Sequence, residues 1–327
     1  MPALTGTSQA TLLTGTLPES HGIVGNGWYF RDLAEILNWQ RSARLISGTP
    51  IWESSQWVSS VSTGSKTSAV SDSQCANLFW RYATHASSHL NVTERPTYWV
   101  DGRKTPDIYT EPADQRDILV RELGPFPLFR FWGPLAGIES TRWIVDATIR
   151  TIRQDRYRMV LTYLPHLDYD HQRFGPDSPP GRQALEDVDR EAGRLLEVAQ
   201  ESDLKVAVVS DYAFEPVTTP VFLNRILRKE GLLAVQRAEN GELLEPGVSR
   251  AFAVCDQQVA HIYVRDQADL ERVRTLLGAQ EGVERVLGRD EMQPLGIAHA
   301  RSGELFALAS PGHWFAYHYW LNEADAP

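Results

Sequence analysis

Three hydroxyl side chains, Thr5, Thr7 and Ser8, stand just ahead of a short apolar run, Ala10-Thr11-Leu12-Leu13, that gives way to Gly15. The pattern predicts a helix that starts in the hydroxyl-rich stretch, ends at a glycine suited to a helix C-terminus, and leads into a turn through Pro18. A hydroxyl at such a start sits among backbone N–H groups with no partner inside the helix, at the positive end of the helix dipole. An oxyanion is favoured there, whether a phosphate or a phosphorylated threonine. The same three side chains could instead serve as ordinary helix caps.

Two aspartates form the second candidate group. A buried-strand run, Met159 to Leu164, ends at Pro165-His166-Leu167-Asp168. A helix is expected from about Gln183 to Glu201, with Leu185, Val188, Ala192, Leu195, Leu196 and Ala199 on one face. A second buried strand, Val206 to Val209, ends at Ser210-Asp211-Tyr212. Strand, helix, strand is a βαβ crossover and implies a parallel sheet. Ligands bind off the carboxyl ends of such strands, where Asp168 and Asp211 both lie. Helix capping or loop hydrogen bonding is the simpler role for either carboxylate.

The remaining elements must carry these groups. Ile138, Val145, Ile149 and Ile152 share one helical face. The serine-rich stretch 57–73 reads as a surface loop, and the proline-rich stretch 105–135 as irregular chain. From about Thr218 the texture becomes a mixture of short strands and helices. The fold class read from this order is α/β, a mostly parallel central sheet flanked by helices. Residues 1–217 are expected to form the core, 218–300 a small inserted α+β cap, and 301–327 a return to the core. His261, in an alternating strand, reads as a core histidine.

Composition narrows the function classes. The 327 residues are 42% hydrophobic and 23% charged, with a net charge of −10. No basic block offsets that charge, so nucleic acid is not an expected partner. No apolar run is long enough to span a membrane, and no signal peptide is recognisable. Cys75 and Cys255 stand far apart without metal or redox spacing, which suggests reduced thiols and a cytoplasmic location.

The string Thr5, Thr14-Gly15, Pro18-Glu19-Ser20-His21-Gly22-Ile23-Val24 and Asn26 resembles the alkaline phosphatase superfamily, in its type I phosphodiesterase/nucleotide pyrophosphatase and phosphonoacetate hydrolase branch. The resemblance implies that Thr5, ten residues before Gly15, is the nucleophile, and that Asn26, 21 residues beyond Thr5, holds a phosphate oxygen. It implies that His21 shapes the loop. It also implies paired divalent metal ions, zinc in the family, held by aspartates and histidines.

Asp168 matches the first metal motif, but Gln172 stands where the family has histidine, with His171 and His166 close enough in sequence to substitute. Asp211 matches the second motif, and Tyr212 replaces its histidine. Zinc is the ion that the resemblance implies, and oxygen donors in place of nitrogen make Mn²⁺ or Mg²⁺ an alternative. Two further ligands that the family implies, an aspartate on a strand ahead of the threonine and a histidine near the C-terminus, have no counterpart, which suggests a natural start upstream. The expected function is therefore metal-dependent hydrolysis of phosphodiester, pyrophosphate or phosphonate bonds in a small molecule. The alternative is a phosphate-ester-binding relic or a truncated, inactive chain with a degenerate metal site.

Overall fold

Gly15 ends the first helix as its type predicts. It adopts φ 68°, a left-handed conformation that costs glycine nothing, and its N–H closes on the Thr11 carbonyl at 2.8 Å. The computed structural model describes residues 2–54 and 74–327, so the expected loop at 57–73 lies outside the described residues. The chain divides into two compact units. One comprises Met1–Gln40, Ile46–Gly48 and Pro216–Pro327, the other Arg41–Leu45 and Thr49–Glu215. The hydroxyl-rich start thus groups with the C-terminal third of the chain.

The first unit opens with α1 (Thr5–Thr14), the single turn α2 (Pro18–His21) and an antiparallel hairpin of β1 (Gly27–Phe30) and β2 (Glu35–Asn38). In the second unit follow β3 (Cys75–Leu78), β4 (Leu90–Glu94), the short hairpin β5 (Thr97–Tyr98) and β6 (Lys104–Thr105), β7 (Ile108–Glu111) and α3 (Gln115–Leu123). The expectation of irregular chain over 105–135 is corrected here. Pro112 and Pro125 fall outside the ends of α3, so neither breaks it. Next come α4 (Ile138–Ile152), β8 (Met159–Thr162), α5 (His166–Phe174) and α6 (Pro179–Glu201).

The sheet of this unit runs β7-β4-β3-β8, with β3 parallel to both β4 and β8 and β7 antiparallel to β4. One face carries Ala76, Leu78, Leu90 and Val92 against Trp143, Ile144 and Ala147 of α4. Burial of a large apolar side chain of this kind contributes about 1.5–3 kcal/mol. The expected apolar face of α6 is rotated, because Ala184, Val198 and Ala199 are buried whereas Leu185 and Leu196 are exposed.

The expected strand at Val206–Val209 does not form. No strand is assigned there, and Val206, Val208 and Val209 are 52%, 82% and 54% exposed. An apolar run becomes a strand only when a neighbour supplies its ladder of hydrogen bonds, and among the described residues none pairs with it.

The chain then returns to the first unit. There it forms β9 (Thr219–Val221), α7 (Leu223–Lys229), the hairpin β10 (Val235–Ala238) and β11 (Gly241–Leu244), β12 (Ala251–Asp256), β13 (Val259–Val264), α8 (Leu270–Gly278), β14 (Val283–Leu287), α9 (Arg289–Met292), β15 (Leu305–Ala309) and β16 (His313–Phe315). An antiparallel sheet runs β12-β13-β15-β14. β15 lies inside this sheet, hydrogen-bonded on both sides, so the chain is still in the α+β fold at residue 309. Asn224 of α7 clips the sheet by donating to the Ala253 carbonyl at 2.9 Å and accepting from the Ala253 N–H at 2.7 Å. Among the described residues, no helix is long and apolar enough to cross a membrane.

Candidate functional site

Thr5 is the first residue of α1, and the residue before it, Leu4, is extended and offers no side-chain cap. Thr5 is 6% exposed, and Thr7 and Ser8 are fully buried with hydroxyl oxygens that find no hydrogen-bond partner among the described residues. The side chain that meets the first turn comes from elsewhere: the Gly6 N–H donates to Asn26 Oδ1 at 2.9 Å. Thr5 and Asn26, joined only by spacing in the sequence, are thus neighbours at one helix start. Asn26 is itself held. Its backbone N–H donates to Asp256 Oδ2 at 2.8 Å, its Nδ2 to Asp256 Oδ1 at 3.3 Å, and its carbonyl accepts from the Trp39 N–H at 2.7 Å.

Two buried histidines support this loop. His21 Nδ1 accepts from the Ile23 N–H at 3.0 Å, which places the ring proton on Nε2, facing Thr11 Oγ1 at 3.0 Å. Desolvation, with a smaller contribution from His299, lowers its pKa to about 4. His261 Nδ1 accepts from the Gly303 N–H, so its Nε2 donates to the Val24 carbonyl at 3.0 Å. Burial lowers its pKa to about 4 as well. Both rings are neutral, fully engaged and structural.

In the second unit Asp168 lies in the first turn of α5. Its Oδ1 accepts from the Tyr212 hydroxyl at 2.8 Å and its Oδ2 from the Gln172 amide at 2.8 Å. Burial pushes the carboxyl above its usual range and the charge of Asp211 adds to that, while the two donors pull it back. Asp168, Gln172, Tyr212 and Asp211 are thus brought together.

The histidines are not. His166 is buried with Nε2 4.0 Å from Asp187 Oδ2 and its ring edge on Tyr169. His171 places Nε2 3.3 Å from the Gly181 carbonyl and packs its ring on Phe214. Among the described residues no group of three or more His, Cys, Asp or Glu side chains could hold a metal ion. Zinc takes nitrogen, sulfur or carboxylate ligands, commonly three or four from protein. Two carboxylates, one of them already accepting from an amide and a phenol, do not fit it. Among the described residues, Asp168 and Asp211 are the carboxylates of this group, with the Gln172 and Tyr212 side chains beside Asp168.

Asp256, whose carboxylate holds Asn26, is a residue that sequence reasoning did not single out. It ends β12 at a two-residue turn whose Gln257 takes φ 60°, and the turn is pinned by the Phe315 N–H on the Gln257 carbonyl at 2.8 Å. A lone acidic residue closing the apolar run Ala251 to Cys255 was its only signal.

The fold is α/β with a mixed sheet in one unit and an antiparallel sheet in the other, and the sequence places it among the hydrolases of the alkaline phosphatase superfamily. The chain belongs to the type I phosphodiesterase/nucleotide pyrophosphatase family, whose model matches residues 1–326. No curated protein matches the sequence.

Among solved structures, phosphonoacetate hydrolase from Sinorhizobium meliloti 1021 in complex with phosphonoacetate superposes with a TM-score of 0.62 at 16% identity, covering 97% of this chain and 72% of that one. Murine ectonucleotide pyrophosphatase/phosphodiesterase 5, as an inactive variant in complex with AMP, gives a TM-score of 0.61 at 18% identity, covering 99% and 71%. The alkaline phosphatase PafA gives 0.61 at 14% identity, covering 97% and 78%. At these identities the likeness is one of fold.

Proposed function

We propose that this chain hydrolyses phosphoester or phosphonate bonds of a small molecule, with the Thr5 hydroxyl attacking phosphorus and Asn26 beside it as a partner for a non-bridging oxygen. The observation that carries the reading is the bond between Gly6 N–H and Asn26 Oδ1. It joins the proposed nucleophile and the proposed oxygen-binding side chain at one helix start. Family membership supplies the reaction class. Phosphonoacetate and AMP in the similar structures support a small anionic substrate. Two buried cysteines without disulfide partners support residence in a reducing, cytoplasmic compartment.

Magnitudes favour a second reading as well. A helix terminus stabilises an anion by about 0.3–1 kcal/mol, up to about 2 in partly buried geometry. Enzymes lower barriers by about 8–23 kcal/mol. The start of α1 alone can hold a phosphate ester but cannot drive its cleavage. A binding protein that keeps this phosphate cradle without turnover is therefore the second reading.

Hydrolysis of bis-p-nitrophenyl phosphate by the wild-type chain and by Thr5→Ala, each with and without added Zn²⁺ or Mn²⁺, separates the readings. Turnover that disappears in Thr5→Ala supports the threonine nucleophile. The same trace rate in both proteins, with inorganic phosphate still bound by the wild type, leaves the binding protein.

A further inference from the structure

We propose that Asp256 is a positioning residue for Asn26, fixing which way its amide is turned at the start of α1. The inference rests on the reading of Thr5 and Asn26 given above. It is carried by a chain of three hydrogen bonds. Gly6 N–H can only donate, so it requires the amide oxygen of Asn26. An ionised Asp256 can only accept, so it requires the amide nitrogen on the other side, and its second oxygen takes the Asn26 backbone N–H. The residues are 230 apart in sequence, and the β12–β13 turn brings the carboxylate to the loop.

Among the described residues the hydrogen bonds of the Asp256 carboxylate go to Asn26, and no salt bridge reaches it. A half-buried carboxylate without a cation is costly, and burial raises its pKa to about 6. Packing alone would be served better by an apolar or neutral residue. The directional need of one amide accounts for a carboxylate there.

An asparagine at 256 cannot replace it. With its oxygen on the Asn26 backbone N–H, its NH₂ faces the Asn26 NH₂. If Asn26 then flips, its NH₂ faces the Gly6 N–H. If the new amide turns instead, its NH₂ faces the Asn26 backbone N–H, which cannot flip. Every arrangement sets one donor against another.

The test is a double-mutant cycle on bis-p-nitrophenyl phosphate turnover with Asp256→Asn, Asn26→Ala and both together. Asp256→Asn is expected to lower kcat by about tenfold or more with KM changed less than about threefold. In the Asn26→Ala background the same substitution is expected to do almost nothing, because its target is gone. An equal loss in both backgrounds, or no loss in either, overturns the proposal. Absence of Thr5-dependent turnover in the wild type defeats the nucleophile reading instead.

Side-chain ¹⁵N NMR then decides the Asp256 proposal without any activity. Asn26 NH₂ hydrogens that exchange slowly in the wild type and rapidly in Asp256→Asn support it. Equal exchange in both proteins overturns it.

Discussion

Asp168 shows how a single pair of substituted neighbours changes what a carboxylate can do. Each of its oxygens accepts one hydrogen bond at 2.8 Å, from Tyr212 and from Gln172. Tyr212→Phe removes a donor from a charged, partly buried acceptor, and such a bond is worth about 1.5–3 kcal/mol. The expected outcome is an unfolding free energy lower by that amount in urea titration, and an unchanged value would show that the carboxylate finds its partners elsewhere. Thr5 and Asn26 were singled out by the resemblance of one loop and helix to a family, and the structure sets the Asn26 side chain against the first turn of that helix. Asp168 and Gln172 were paired by the family resemblance, and the helix α5 sets residues four apart on one face. His166 and His171 lie on other sides of α5, where Asp187 and the Gly181 carbonyl take them up. Asp256 was not legible, since nothing local marks a contact that spans most of the chain.

Elements whose signals are local came through the sequence well. α4 spans Ile138–Ile152, where its apolar period placed it, and α1 stops where Gly15 allows a left-handed residue. Elements that depend on a partner did not: the valine run at 206–209 lacks a ladder, and β15 joined a sheet that its own sequence does not specify. Glycines give a quantitative check at this scale. A Cβ on Gly15 would meet nothing within 4 Å, so Gly15→Ala carries only the backbone cost of φ 68°, about 1 kcal/mol. A Cβ on Gly181, in the first turn of α6, would stand 2.7 Å from the Gly175 carbonyl and 2.9 Å from that of Pro176. Gly181→Ala must move backbone and is expected to cost more, about 1–3 kcal/mol or above. Comparison of the two urea midpoints checks the order. Equal costs, or a larger one at Gly15, would mean that the turn before α6 yields more easily than its carbonyls suggest.

The acid response of the first unit follows from proton counting. His21 and His261 titrate near pH 6.5 in an unfolded chain and near 4 when folded, because burial disfavours the charged ring. Between those values the unfolded state binds up to two more protons than the folded one, and stability falls as pH falls. Asp256 acts in the opposite sense. Its carboxyl is raised from 3.8 to about 6, so the folded state carries an extra proton in that window, and the stabilisation it brings is lost as pH rises through 6. Two protons against one leaves the unfolded state ahead by about one, a slope of roughly 1.4 kcal/mol per pH unit between about 6 and 4. His299, also lowered by burial, steepens it. The wild-type urea midpoint is therefore expected to decline from pH 6 to pH 4, while Asp256→Asn, which removes the opposing proton, declines about twice as steeply. A flat profile for the wild type would mean that the two histidines are not neutral in the folded protein. Equal slopes for the two proteins would mean that Asp256 is not protonated above its ordinary range, and that the loop bearing Asn26 is wetter than its hydrogen bonds imply.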